Sequence, residues 1–61
     1  MIFRQLFESQ TSTFAYLLAD EATHVAVLID PVVEALDTYV GLLGDLGLTL
    51  RYTLETHGAL G

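Results

Sequence analysis

His24, His57 and eight carboxylates are the side chains of this 61-residue sequence that could ligate a metal or move a proton near neutral pH, and there is no cysteine. A mononuclear centre that leaves positions open for oxygen and substrate takes two neutral imidazoles and one carboxylate on one face. The two histidines stand 33 positions apart, so such a centre requires the fold to bring them together. The carboxylates of interest are Asp30, directly before Pro31, and Glu55, two residues before His57. No G-x-G-x-x-G, Walker loop, G-x-S-x-G elbow or H-E-x-x-H occurs in the sequence, which leaves nucleotide binding and serine or zincin-type hydrolysis without support.

The elements that would position these groups can be read from the pattern. Ile2 to Phe7 and Thr13 to Ala19 are apolar, aromatic-rich runs separated by the polar stretch Glu8-Ser9-Gln10-Thr11-Ser12, which predicts strand, turn, strand. After Asp20-Glu21-Ala22-Thr23 the run His24 to Ile29 is almost unbroken in β-branched and aliphatic residues, as in a strand covered on both faces. Asp30-Pro31 predicts a helix start, with the Asp30 carboxylate accepting from free backbone N–H groups and proline at the first helical position. Val33, Leu36, Val40, Leu43 and Leu46 then recur at spacings of three and four, one apolar stripe on a helix from Pro31 to Leu46 that Gly47 ends as a left-handed cap. Leu48, Leu50, Tyr52 and Leu54 alternate with polar residues, predicting a half-buried strand.

The order is β-β-β-α-β: an α/β fold, a mixed sheet with one amphipathic helix. The crossover helix makes the third and fourth strands parallel, and ligands of open α/β sheets gather beyond the carboxyl ends of such strands, here Asp30 and Glu55-Thr56-His57. His24 begins the central strand and His57 follows the end of its parallel neighbour, roughly 17 to 20 Å away. The two cannot share a metal within one chain. His24 reads as a solvated strand-edge histidine and is given no role. Asp30 reads as a helix cap, and Glu55 as a solvated carboxylate that could serve as an outer acceptor beside His57.

Ile2-Phe3-Arg4-Gln5-Leu6-Phe7, Thr13 to Asp20, Ala26-Val27-Leu28-Ile29-Asp30-Pro31 and, above all, Tyr52-Thr53-Leu54-Glu55-Thr56-His57 together resemble the amino-terminal part of the persulfide dioxygenases. These are iron-dependent members of the metallo-β-lactamase superfamily. The resemblance covers residues 1 to 57 and implies that residues 1–61 are a single incomplete domain, the first part of an αββα sandwich. It also implies that His57 matches the first histidine of the H-x-H-x-D-H metal motif, an iron ligand. The rest of the motif does not follow, because His57 is succeeded by Gly58-Ala59-Leu60-Gly61. The expected cofactor is therefore Fe(II), with Zn(II) the alternative for a hydrolase of the glyoxalase II or lactonase kind, and neither is expected to be held tightly. Complete relatives convert glutathione persulfide to sulfite and glutathione with oxygen. This chain is expected to be a portion of such an enzyme that lacks most of the metal ligands and is inactive alone.

Charge and hydropathy narrow the partners. Two arginines and no lysine against eight acids give a net charge of −6, the wrong sign for a phosphate backbone or an anionic membrane surface. The longest stretch free of formal charge, Ser9 to Ala19, has eleven residues, well short of the roughly 20 that span a bilayer. No targeting leader is recognisable, which predicts a cytoplasmic protein. At 52 % hydrophobic residues the chain is a folding one, yet a domain of this size buries only about 60 % of the surface its unfolded form exposes. One helix covers one face of a four-stranded sheet, so a homo-oligomer through the bare face is expected. A non-catalytic, self-associating α/β module is the competing reading of the whole chain.

Overall fold

The computed structural model describes residues 1–56. Four strands form one sheet in the order β1-β2-β3-β4: β1 is Ile2–Glu8, β2 Thr13–Asp20, β3 Val25–Ile29 and β4 Thr49–Leu54. A 3-10 turn at Val33–Ala35 and the helix α1, Leu36–Leu46, join β3 to β4. The first two pairings are antiparallel and β3–β4 is parallel, the mixed sheet that the order of elements predicts.

The hairpin ends are held by side chains that satisfy turn amides. Glu8 accepts from the Thr11 N–H at 3.0 Å, and the Thr11 and Thr13 hydroxyls lie 2.7 Å apart. At the next turn the Asp20 carboxylate accepts from the Ala22 N–H at 2.9 Å, and the His24 N–H donates to the Asp20 carbonyl at 2.8 Å. His24 takes a left-handed backbone, φ 61°, a region open to histidine more than to β-branched residues. The third strand consequently begins at Val25 rather than at His24.

Cross-strand register sorts the side chains onto two faces. Ala15, Leu17 and Ala19 of β2 and Ala26 and Leu28 of β3 are buried under α1, with Leu17 and Ala26 at 0 % exposure. Three of these five are alanines, and that lets the helix sit close enough for Tyr39 to be buried against them. The Tyr39 hydroxyl accepts the Val32 N–H at 3.0 Å, giving this buried phenol a partner where the chain enters the 3-10 turn.

Three expectations about this half of the chain need correcting. The regular helix starts at Leu36, not Pro31, and neither it nor the 3-10 turn carries a side-chain cap. The helix face on the sheet is Tyr39, Leu42, Leu43 and Leu46. Val33, Leu36 and Val40 of the expected stripe are 78 %, 55 % and 61 % exposed, because the buried arc is centred on Tyr39, whose ring packs over the alanines of the sheet. All six residues of β4 are exposed, and a register shift opposite Ala26/Val27 leaves Arg51 without a pairing partner. Leu50 thus falls on the helix side with Ala26, while Tyr52 and Leu54 fall on the opposite face with Val27 and Ile29. One extra residue in a strand reverses which face the following side chains occupy.

The helix terminates as its sequence predicts. Gly47 has φ 66° and ψ 38°, and its N–H reaches back to Gly44 and Leu43. The Leu48 N–H then closes on the Leu43 carbonyl at 2.8 Å, so the Leu43 and Gly44 carbonyls of the last turn are satisfied by a Schellman-type turn.

Candidate functional site

The carboxyl ends of the two parallel strands lie side by side, with Asp30 leaving β3 and Glu55-Thr56 leaving β4. Asp30 adopts φ 54°, one of the few non-glycine residue types that tolerate that conformation. Its backbone N–H donates to the Leu54 carbonyl at 2.7 Å. Its carboxylate turns across the sheet edge, one oxygen accepting the Thr56 N–H at 2.7 Å and the other accepting the Thr56 hydroxyl.

Asp30 is therefore not the helix cap that Asp30-Pro31 suggests. Pro31 and Val32 separate it from the first helical turn, and the left-handed backbone aims its carboxylate towards β4 instead. The signal is ambiguous in sequence, because Asp-Pro after a strand suits a helix cap and a strand-end turn alike. Thr56 is among the strand-end residues that the sequence points to, but its pairing with Asp30 is what sequence reasoning misses. The parallel pairing places the two residues close together, and the left-handed backbone of Asp30, which the sequence does not announce, turns the carboxylate onto Thr56.

The remaining candidates are distributed as follows. Glu55 is exposed, in keeping with a solvated carboxylate. His24 is exposed at the opposite end of β3, where its carbonyl accepts the Thr49 N–H at 2.8 Å. Six residues of extended chain at about 3.3 Å each put it roughly 20 Å from Asp30. His57, the expected metal ligand, lies outside the described residues. Among the described residues no group of three or more His, Cys, Asp or Glu is placed to hold a metal ion. Residues 1–56 alone do not fit a facial iron or zinc centre, and such a centre would have to draw its ligands from elsewhere. What the arrangement does provide is a fixed strand end: Asp30 ties the backbone and hydroxyl of Thr56, the residue directly before His57 in sequence, to the end of β3. On the helix side of the same sheet, an apolar groove of about 270 Å³ runs between α1 and β4, with Leu36, Tyr39, Val40 and Leu43 on one wall and Leu28 and Leu50 on the other. Among the described residues no helix is long and apolar enough to cross a membrane.

No protein-family model matches the sequence. Over 57 residues, 93 % of the chain, it is 46 % identical to the human mitochondrial persulfide dioxygenase ETHE1, of which it covers 22 %. The crystal structure of ETHE1 from Myxococcus xanthus superposes with a TM-score of 0.89 at 54 % identity, over 93 % of this chain and 25 % of that one. A metallo-β-lactamase from Staphylococcus aureus superposes with a TM-score of 0.84 at 32 % identity, over 93 % of this chain and 17 % of that one. The chain thus matches the ETHE1 persulfide dioxygenases and the metallo-β-lactamase fold in both sequence and structure, while spanning about a fifth of the length of the curated relatives it matches.

Proposed function

We propose that these residues are the part of a persulfide dioxygenase-like protein that builds the first sheet and places one iron ligand, His57, at the end of β4. The observation that carries this reading is sequence identity: 46 % over 57 residues with the human persulfide dioxygenase and 54 % with the structurally similar ETHE1 of Myxococcus xanthus, against 32 % for the metallo-β-lactamase. The same ordering favours an Fe(II) oxygenase acting on glutathione persulfide over a Zn(II) hydrolase. The role of residues 1–56 in this reading is mechanical. Asp30 ties Thr56 to the end of β3, and the sheet under α1 carries that anchor. In this reading the remaining ligands and the binding of oxygen and substrate belong to residues outside 1–61, and residues 1–61 by themselves are expected to give no dioxygenase activity.

A chimera tests the proposal. Residues 1–57 replace the matching segment of a full-length persulfide dioxygenase, and oxygen uptake with glutathione persulfide is recorded beside the isolated chain. The expected result is uptake by the chimera, loss of uptake and of bound iron in its His57→Ala variant, and background uptake by the isolated chain loaded with Fe(II). A chimera that folds and binds iron equally well with His57→Ala would overturn the assignment, and so would uptake by the isolated chain above its own His57→Ala control.

A further inference from the structure

Asp30-Pro31-Val32, the connection from β3 to the 3-10 turn, holds a conformation that its own sequence opposes. A proline pushes the residue before it towards extended backbone, yet Asp30 has φ 54°. A residue kept against such a preference stays there only where its surroundings fix it from more than one side. The structure supplies a hold on each side. Towards the sheet, the Asp30 N–H donates to the Leu54 carbonyl at 2.7 Å. Towards the helix, Val32 is extended, at φ −118° and ψ 143°. Its N–H donates to the Tyr39 hydroxyl at 3.0 Å, and its carbonyl accepts from the Ala35 N–H at 3.1 Å. Pro31, between the two holds, has no N–H to donate and a φ locked at about −65°.

The hold on Val32 comes from the core. Tyr39 is 4 % exposed and belongs to the buried cluster with Ala15, Leu17 and Ala26, so its ring is packed in place and its hydroxyl is a fixed point. That hydroxyl is the one group by which Tyr39 differs from a phenylalanine, and it is spent on the backbone two residues after Asp30. From the backbone so held, one oxygen of the Asp30 carboxylate accepts the Thr56 N–H at 2.7 Å and the other accepts the Thr56 hydroxyl. A buried helix side chain is thus linked to the end of β4 by two sets of hydrogen bonds joined through the short Asp30-Pro31-Val32 segment.

We propose that Tyr39 is a positioning residue for this strand end: by holding Val32 it keeps Asp30 left-handed, and so keeps the Asp30 carboxylate on Thr56. The further step, from Thr56 to a metal ligand at position 57, rests on the function proposed above. Tyr39→Phe tests the proposal with the ring retained. In the 61-residue chain, amide exchange of Thr56 is followed by NMR beside that of Leu17, which reports global stability. After correction for the change at Leu17, Thr56 should exchange about two- to tenfold faster in Tyr39→Phe, the range for one net hydrogen bond. The acceleration should persist in an Asp30→Asn background, which retains an acceptor, and vanish in Asp30→Gly, where the side chain is gone. Unchanged Thr56 exchange in Tyr39→Phe overturns the proposal. So does an equal acceleration in the Asp30→Gly background, which is a general loosening of the domain. In the chimera that carries residues 1–57, Tyr39→Phe should release bound iron to a chelator about two- to tenfold faster, with the KM for glutathione persulfide within about twofold of the parent. Iron release that responds to His57→Ala but not to Tyr39→Phe overturns the role of Tyr39 at the site. Iron release that ignores His57→Ala refutes the ligand at position 57 instead, and Thr56 exchange in the 61-residue chain then decides the role of Tyr39.

Discussion

Replacing Asp30 separates two contributions that meet at one residue. In Asp30→Ala the Thr56 N–H and hydroxyl lose their acceptor, and alanine inherits a backbone at φ 54°. Hydrogen bonds to a charged group contribute about 1.5 to 3 kcal/mol when well desolvated. Asp30 is only half-buried and Thr56 is exposed, so solvent screening reduces the pair to about 1 to 2 kcal/mol in total. The left-handed conformation adds about 1 kcal/mol for alanine and nothing for glycine. Asp30→Gly should therefore lose about 1 to 2 kcal/mol of local stability and Asp30→Ala about 2 to 3 kcal/mol. Asp30→Asn keeps an acceptor and tolerates the backbone, so it should lose less than either. The assay is amide hydrogen exchange of Thr56 by NMR, where about 1.4 kcal/mol corresponds to tenfold. Thr56 should exchange about five- to thirtyfold faster in Asp30→Gly and faster still in Asp30→Ala, while the Leu17 amide at the centre of the sheet slows or quickens only with global stability. Equal Thr56 protection in the parent and Asp30→Gly would refute the anchor, and equal rates for the glycine and alanine variants would refute the backbone strain.

Leu17→Ala removes the side chain at 0 % exposure under α1 and should cost about 2 to 5 kcal/mol, enough to abolish a cooperative urea transition in so small a domain. Gly47→Ala meets no atom within 4 Å of its new Cβ, so its loss of about 1 kcal/mol comes from the left-handed backbone alone and should appear as a lower urea midpoint with unchanged slope. Tyr39→Phe deprives the Val32 N–H of its acceptor and should cost about 1 kcal/mol on the same scale, with a faster-exchanging Val32 amide as the specific sign.

The number, type and order of elements were legible because each has its own period or cap. The β-branched run of β3 and the αL glycine at position 47 each state a single local preference that the tertiary structure leaves in place. The parallel pairing of β3 and β4 also followed, since a strand, helix and strand in one sheet admit one sensible handedness. What could not be read were features decided between segments distant in sequence. Asp30 has two equally good local uses, and only the neighbouring end of β4 selects the second. The Leu50, Tyr52, Leu54 alternation is a strong period-2 signal that a single bulged residue, Arg51, divides between two faces. The apolar stripe through Val33, Leu36 and Val40 is real in the sequence, but Tyr39 sets the buried arc because alanines on the sheet beneath leave room for a large ring.

The match between strand order and chain order, β1-β2-β3-β4, bears on how the sheet assembles in time. Along the first hairpin the paired positions lie from 5 residues apart at Glu8–Thr13 to 17 apart at Ile2–Ala19, so these pairs close as a zipper of short loops. Every β3–β4 pair spans 24 or 25 residues, as in Val25–Thr49 and Ile29–Leu54. Loop-closure entropy for the last strand is thus the largest in the molecule, and β4, exposed along its whole length, has the least burial to offset it. Loop closure and burial together predict a three-stranded meander to which β4 is added after α1 has docked. β4, whose end Thr56 follows by two residues, is then expected to be the last strand to pair on folding and the first to open from the native state, and faster hydrogen exchange in β4 than in β2 would show it.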